Sequence, residues 1–582
     1  MCGIVGYVGK NSPIESLIDG LKKLEYRGYD SSGIAIKGNN TIQIIKSTGR
    51  ISELENKIKE TKLVKSNLGI AHTRWATHGE ANEINAHPHK VGKVTLVHNG
   101  IIENARDLKN KLVNEEIVFR SETDTEVAAA VINAYYKGNP IQAITKAIKQ
   151  LKGSFAFGLI FEDQDKLYAV RKDSPLIVGI GENENYIASD IAAIIKYTDK
   201  YMLLDDNEVI ELSESEINVY KDGEKIDKKI EKSNISIEDA NKGSYKHFML
   251  KEIMEEPVVL QRTLNKYLKN PSKLFDVSDY EEIHIVACGS ALYAGMVGRV
   301  LLEEKANIRC ITECASEYRY KKVIYDRKTL VILVSQSGET ADTIAAMRKA
   351  NSDGIDTLAI VNVESSTIDR ECTYSVLIEA GKEIAVATTK AFIQQVLVLS
   401  LLSYKANPDD KYLEDIKNLP QQLKVLLDKT GFYKKLADAI YKHEDVFFIG
   451  RKVDYAISLE GSLKLKEISY IHSDAYQAGE LKHGTISLIN EGTIVFAIVT
   501  DDDIRDKTIS NLEEVISRGA NPIYVGNVDT NYENKIIIPR VHKKLQPLLA
   551  LPPLQMIAYY VALKRDCSID KPKNLAKSVT VE

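Results

Sequence analysis

Short apolar runs recur through the first 220 residues: "GIVGYVG", "LGIAHTRWA", "KVTLVHNGII", "SFAFGLIF", "KLYAVR" and "YIASD", with polar turns between them. Runs of this length, rich in β-branched residues and bounded by turn formers, predict strands. Helix-period stretches around 12–25 and 123–151 interrupt them. Residues 1–220 therefore predict an α+β domain with helices packed on antiparallel sheets. Residues 221–247, "KDGEKIDKKIEKSNISIEDANKGSYKH", are polar and charged without a core period and read as a linker.

Beyond the linker, apolar strands alternate with longer helical patterns, as in folds with a parallel sheet. An internal repeat runs through this half. "EIHIVACGSALYAG" (282–295) matches "DVFFIGRKVDYAIS" (445–458), "TLVILVSQSGETADTI" (329–344) matches "TIVFAIVTDDDIRDKT" (493–508), and "GIDTLAIVNV" (354–363) matches "GANPIYVGNV" (519–528). The offsets, 163, 164 and 165 residues, stay in register and predict two copies of one α/β unit. The domains are placed at 248–420 and 421–567, with a tail at 568–582. The apolar run "AFIQQVLVLSLLSY" (391–404), broken by Gln394 and Gln395, reads as a buried helix, because no run reaches the ~18 residues of a membrane span.

Composition narrows the class. Hydrophobic residues make up 44% of the 582 and charged ones 27%, and the net charge is −5 without a basic block. That is the balance of a globular enzyme rather than of a nucleic-acid or membrane-surface binder. Six scattered cysteines (2, 288, 310, 314, 372, 567) do not make a disulfide framework in so long a chain. With no export signal in "MCGIVGYVGK", the expectation is a cytoplasmic protein.

Cys2 stands next to the initiator. As a small apolar residue it would suit a buried strand. Exposed at the N-terminus by removal of Met1, it would carry thiol and α-amine together, a nucleophile with its own base. Residues for amide cleavage follow. Asn99 and the Gly100 N–H suit an oxyanion hole, Arg74 suits an α-carboxylate, and Asp124 suits an α-ammonium. Five of the eleven histidines lie between 72 and 98, but their spacing fits no common zinc pattern.

In the second half, "SQSGET" opens the helix "TADTIAAMRKA" after a strand. Ser335, Gln336, Ser337 and Thr340 with a helix N-terminus suit a phosphate, although one serine alone would explain a plain cap. The second repeat puts "TDDD" there, which would repel a dianion. Glu460, Lys464 and Glu467 share a helical stripe, either as a surface ion pair or as proton-transfer chemistry.

"CGIVGYVG", "LEYRGYDSSGIAI", "HTRWATHG", "HNGIIEN" and "SETDTEV" resemble the N-terminal-nucleophile glutamine amidotransferases. The resemblance implies Cys2 as nucleophile, Asn99 and Gly100 as oxyanion hole, and Arg74, Trp75, Thr77, His78, Gly100 and Asp124 as glutamine contacts. "ACGSALYAG", "SQSGET", "EIAVATTKAF", "LEGSLKLKEISYIHSDAYQAGELKHG" and "NLAKSVTVE" resemble the paired sugar-isomerase (SIS) domains of the glutamine–fructose-6-phosphate aminotransferase (isomerising) family, of bacterial type. That resemblance implies an α+β glutaminase sandwich followed by two α/β SIS domains. It implies Cys288, Gly289, Ser290, Ser335, Gln336, Ser337, Thr340, Val386, Thr388 and Ala576 around the sugar phosphate. It assigns Glu467 and Lys464 to proton transfer, His483 to ring opening from a neighbouring subunit, and Lys577 to a Schiff base. Ala291 departs from the family's second hydroxyl, and Thr388 replaces a frequent serine. The implied substrates are glutamine and fructose 6-phosphate, the product glucosamine 6-phosphate, and the assembly a homodimer with no metal or organic cofactor. A deglycase or deaminase on the same sugar domains, or a sugar-phosphate sensor, are the other readings. The glutaminase half counts against the first, and Glu467, His483 and Lys577 together against the second.

Overall fold

The computed structural model describes residues 2–39, 41–76, 79–113, 117–232 and 242–580. The chain divides into two compact units, Met1–Asn241 with Ser578–Glu582, and Lys242–Lys577.

The first unit has two antiparallel sheets. The eight-stranded one is ordered Glu231–Lys232, Lys200–Leu203, Ile177–Ile180, Glu184–Ala188, Gly3–Gly9, Leu68–Arg74, Ser31–Lys37, Ile42–Thr48. The seven-stranded one is ordered Glu224–Ile226, Ile217–Lys221, Glu208–Leu212, Leu167–Lys172, Gly153–Phe161, Val94–Ile102, His89–Val91. Alternation along Gly3–Gly9 explains the layering. Ile4 and Val8 pack between the sheets with Val97, Ala156 and Ile160. Val5 and Tyr7 face the other way, onto Leu17, Leu21 and Leu24 of helix Ile14–Leu24. Helix Asp124–Tyr135 covers the far face of the second sheet, over Leu96, Phe155 and Phe157.

Two expectations are corrected here. The stretch 123–151 is two helices, Asp124–Tyr135 and Pro140–Ile148. Gly138 turns at φ +90°, Asn139 accepts from the Gln142 N–H at 3.1 Å, and Pro140 opens the second helix. The linker placed at 221–247 is too long. Asp222 and Gly223, both at positive φ, make a two-residue hairpin that pairs Lys221 with Glu224, and Glu231 pairs with Tyr201. These edge strands are polar because they are largely solvated.

The second unit holds two five-stranded parallel sheets. One is ordered Arg309–Cys314, Glu282–Ala287, Thr329–Ser335, Asp356–Val361, Tyr374–Leu377. The other is ordered His472–Gln477, Asp445–Gly450, Ile494–Val499, Asn521–Gly526, Lys535–Ile537. The strand order, second-first-third-fourth-fifth, is the same in both, so the sequence repeat is a repeat of topology. One face of each sheet enters a single shared core, in which Ile285 and Ile332 meet Phe392, Leu397, Leu465, Phe448 and Leu554. The opposite faces have separate cores. The domain boundary at 420 is also corrected, since Pro420 lies inside helix Asp410–Leu427 and the buried stripe Ile416, Leu419, Leu423 and Leu426 runs through it. The buried run at 391–404 is helix Lys390–Ala406, with Gln394 and Gln395 fully buried. No helix among the described residues is long and apolar enough to cross a membrane.

A shared core makes the two parallel-sheet modules one cooperative body. Leu397→Ala, at a fully buried site, should cost ~2–5 kcal/mol. In scanning calorimetry it should move one transition that carries both modules. Separate melting of the two modules would contradict the shared core.

Candidate active sites

In the first unit, pairing of Gly3 with Thr73 sets Cys2 beside the end of strand Leu68–Arg74. The Cys2 thiol accepts from the Trp75 N–H at 3.3 Å and reaches the Trp75 carbonyl at 3.6 Å. Burial pushes the thiol above its usual range, with the Trp75 N–H and the Arg74 charge working against that rise. At rest it is protonated and needs a base before it can attack.

Asn99 is held from three sides. Its Nδ2 donates to the Cys2 carbonyl at 3.1 Å and to Ser189 Oγ at 2.8 Å, and its Oδ1 lies 3.1 Å from His72 Nε2. Gly100 has φ +128°, and a Cβ there would sit 2.1 Å from the Ser154 carbonyl oxygen, so only glycine fits. Asp124 opens its helix, and its Oδ2 accepts from the Ile102 N–H at 2.8 Å. Arg74, buried, donates to the Gly79 and Glu80 carbonyls at 3.2 Å each. Thr77 and His78 lie outside the described residues.

Four histidines form a buried network behind these groups. His87 Nε2 and His98 Nδ1 lie 3.1 and 3.0 Å from Thr125 Oγ1, and His89 Nε2 lies 3.1 Å from Thr123 Oγ1. Burial pushes His72 down to about 3 and His87 and His89 well below their usual range, so they are neutral at physiological pH. They tie helix Asp124–Tyr135 to the strands carrying Asn99 and Arg74. Their clustering in sequence reflects this packing.

In the second unit the candidate groups gather at the carboxyl edge of the first parallel sheet, where the strand order reverses and ligands bind in open α/β folds. After strand Thr329–Ser335, Ser335 Oγ accepts from the Gly338 N–H at 3.0 Å and lies 3.2 Å from Thr340 Oγ1. Thr340 occupies the N-cap of helix Ala341–Ser352 but makes no side-chain cap bond. Plain capping therefore does not account for its hydroxyl. Ser337 Oγ accepts from the Glu339 N–H at 3.1 Å. Gly338, at φ +66°, passes so close to Ser366 that a Cβ would lie 1.9 Å from its Oγ.

Cys288 and Gly289 start helix Gly289–Leu301. Burial pushes the Cys288 thiol up to about 11, and its half-buried side chain packs against the core on the outer face of this sheet. Ser290 joins the two modules: its Oγ donates to Glu460 Oε1 at 3.1 Å and accepts from Lys464 Nζ at 3.2 Å. Lys464 is fully buried, 2.7 Å from Glu467 Oε2 and 3.4 Å from Glu460 Oε1. Burial alone would lower its pKa, but the two carboxylates hold it above the usual lysine range. Burial pushes Glu460 up to about 7.

The tail is tied down within this unit. The Val386 N–H donates to the Asp570 carbonyl at 3.0 Å, and the Asp570 carboxylate accepts from the Phe248 and Met249 N–H groups at 2.9 Å each. Lys577 forms a buried ion pair with Glu383. Glu383 also accepts from the N–H groups of Thr389 and Ala391, and Glu252 from those of Ile384 and Ala385, which fixes the loop carrying Val386 and Thr388. Ala576 is half-buried beside Lys577 in this tail. Asn362 Nδ2 donates to the Gly381 carbonyl, its Oδ1 accepts from the Ala380 N–H, and its own N–H donates to the Gln336 carbonyl, joining this loop to the serine loop. His483 is not brought to the cluster: it is exposed on the turn Glu480–His483. Sequence reading missed Ser189, His72, Asn362, Glu252 and Glu383, all of which act through long-range contacts. "YIASD", "HTRWATHG", "GIDTLAIVNV" and "EIAVATTKAF" contain four of them without giving them a role, and Glu252 lies in none of the quoted stretches.

Comparison with known proteins agrees with this layout. A family model described as a glutamine amidotransferase domain matches residues 72–196, and one described as a SIS domain matches 277–404 and 439–565. The glutamine–fructose-6-phosphate aminotransferases (isomerizing) of Clostridium tetani and Aquifex aeolicus are 46% and 42% identical to this chain, with both partners fully covered. A solved C-terminal domain of the glucosamine-fructose-6-phosphate aminotransferase of Francisella tularensis is 34% identical, covers 57% of this chain and all of its own, and superposes with a TM-score of 0.54. Full-length identity at this level, across both kinds of domain, means that the chain belongs to the glutamine–fructose-6-phosphate aminotransferase (isomerizing) family.

Proposed function

We propose that the chain converts fructose 6-phosphate and glutamine to glucosamine 6-phosphate and glutamate, the entry step to amino sugars. The observation that carries this reading is the buried Lys464, which holds Glu460, Glu467 and Ser290 together at the edge where hydroxyls suited to a phosphate also lie.

In the first unit, the α-amine of a chain starting at Cys2 takes the thiol proton. The thiolate then attacks the glutamine amide, and the oxyanion is received by the Gly100 N–H and by Asn99 Nδ2, which gives up its bond to the Cys2 carbonyl. Arg74 and Asp124 hold the two ends of the amino acid, with Trp75, Thr77 and His78 as further contacts. The ammonia released is the amine donor for the second unit.

There, Ser335, Gln336, Ser337 and Thr340 hold the phosphate, with Cys288, Gly289, Ser290, Val386, Thr388 and Ala576 around the sugar. Ring opening falls to His483 supplied by a second copy of the chain, because in its own chain it is exposed. Lys577, released from Glu383, loses its proton to water, and its amine adds to the C2 carbonyl with loss of water; ammonia then displaces the lysine. Lys464 stays charged between its carboxylates and is therefore no base. Its contact with Glu467 orients that carboxyl, and Glu467 carries the proton from C1 to C2.

Two substitutions separate the half-reactions. Cys2→Ala should lower glutamine hydrolysis by about 10³-fold or more while conversion of fructose 6-phosphate to glucose 6-phosphate continues. Glutaminase activity surviving in that variant would remove Cys2 from the mechanism. Glu467→Gln should lower amino-sugar formation by about 10²–10⁴-fold with little change in melting temperature, since the amide keeps a bond to Lys464 within reach. An unchanged rate, assayed with ammonium salt as donor, would shift the proton transfer elsewhere.

A further inference from the structure

The duplicated fold gives the second module a carboxyl edge of its own. A cavity of about 320 Å³ opens there, lined from helix Gly289–Leu301 and from the starts of the segments that follow strands Asp445–Gly450, His472–Gln477 and Ile494–Val499. Of the eight lining residues, Arg299, Arg451 and Lys452 are cations and none is a carboxylate; Tyr455 and Gln477 add a hydroxyl and an amide.

The cavity is the counterpart of the first site under the repeat. In the 163-residue register, strand Asp445–Gly450 corresponds to Glu282–Ala287, and Arg451 and Lys452 correspond to Cys288 and Gly289. The backbone repeats with it: φ is +57° at Gly289 and +50° at Lys452. With ψ −122°, Lys452 occupies a region that favours glycine. A lysine is thus held at the mouth of the cavity in a conformation that strains it, and strain of this kind gathers at ligand sites.

The cations are paired with their neighbours only loosely. Lys452 is 3.7 Å from both Glu304 and Asp501, and Arg299 is 3.8 Å from Glu303, all beyond hydrogen-bond length. Arg451 is anchored by Asn511 at 2.7 Å, and its Nε has no acceptor among the described residues. The "TDDD" loop is occupied within the protein. Asp454 takes the N–H groups of Thr500 and Asp501, Lys543 pairs with Asp503 at 2.8 Å, and Arg505 pairs with Asp502. The positive charge of this edge has moved from loop N–H groups to side chains.

We propose that this cavity is a second, non-catalytic site for a hexose-sized phosphate monoester. Its volume is at the small end of ligand sites, ~300–1,000 Å³, which suits a monosaccharide phosphate better than a nucleotide. The same register puts Val297 and Leu301 where the first site has Glu460 and Lys464, and Glu304, at the position of Glu467, is held by Lys544 at 2.7 Å, so the site binds without turnover.

The inference rests on the proposed function only in taking the first site for the substrate, and the test separates the two. Equilibrium dialysis of the full chain with radiophosphate-labelled fructose 6-phosphate, without glutamine, should count two esters per chain. Arg299→Gln/Lys452→Gly should lose one of them, by a tenfold or greater weakening, without a lower melting temperature, because glycine relieves the strained backbone. Ser337→Ala/Thr340→Val should lose the other. One ester per chain in the unsubstituted protein, or two in the Arg299→Gln/Lys452→Gly protein, would overturn the second site. Two retained in the Ser337→Ala/Thr340→Val protein, with one lost in the other variant, would count against the substrate site and leave this one standing.

Discussion

The second unit depends on the burial of one ammonium. Lys577 lies five residues from the end of the chain with its side chain 4% exposed, against a Glu383 that is fully buried. An unpaired charge there would not stay buried, and breaking such a pair by removing one partner costs about 3–5 kcal/mol. Burial alone would raise the Glu383 carboxyl. Lys577 and the N–H groups of Thr389 and Ala391 hold it below the usual carboxylate range, so it is ionised. One carboxylate therefore holds the lysine, the shape of the 383–389 loop and the start of helix Lys390–Ala406. Glu252, pushed up to about 8 by burial and by Glu383, braces the same loop from behind.

The same rule, buried charge matched by buried charge, joins the two modules at Lys464. A shared apolar core makes them one body, but apolar packing does not fix a register between helices as a bonded triad does. Ser290 of the first module enters the Glu460–Lys464–Glu467 cluster of the second. The candidate groups at the first edge therefore come from both copies of the repeat, and the second edge differs from it. There, the glycine position became lysine and the hydroxyl loop became acidic.

Much of this architecture is legible in the sequence. Strand runs, the change from alternating to longer helical periods, and the in-register repeat predict the antiparallel first half and the duplicated parallel second half. The serine loop could be read because Ser335, Ser337 and Thr340 are neighbours along the chain. The boundaries went astray where local signals were outweighed or overlooked: Asp222-Gly223 is a hairpin signal inside a charged run, and Asn139-Pro140 is a cap inside a helical one. Glu383, Asn362, Ser189 and His72 could not be recognised from spacing, since each acts on a group distant in the chain. Their pairing comes only from the way strands and tail close the fold.

The account's central claim is that Lys577 is kept buried beside Glu383 in order to meet the sugar carbonyl. Borohydride reduction of the full-length protein in the presence of fructose 6-phosphate, followed by peptide mass mapping, tests it most directly. The account predicts a reduced hexose phosphate on Lys577 and on no other lysine. Reduced sugar on a different lysine, or none on an enzyme that is still fully active before reduction, would contradict it.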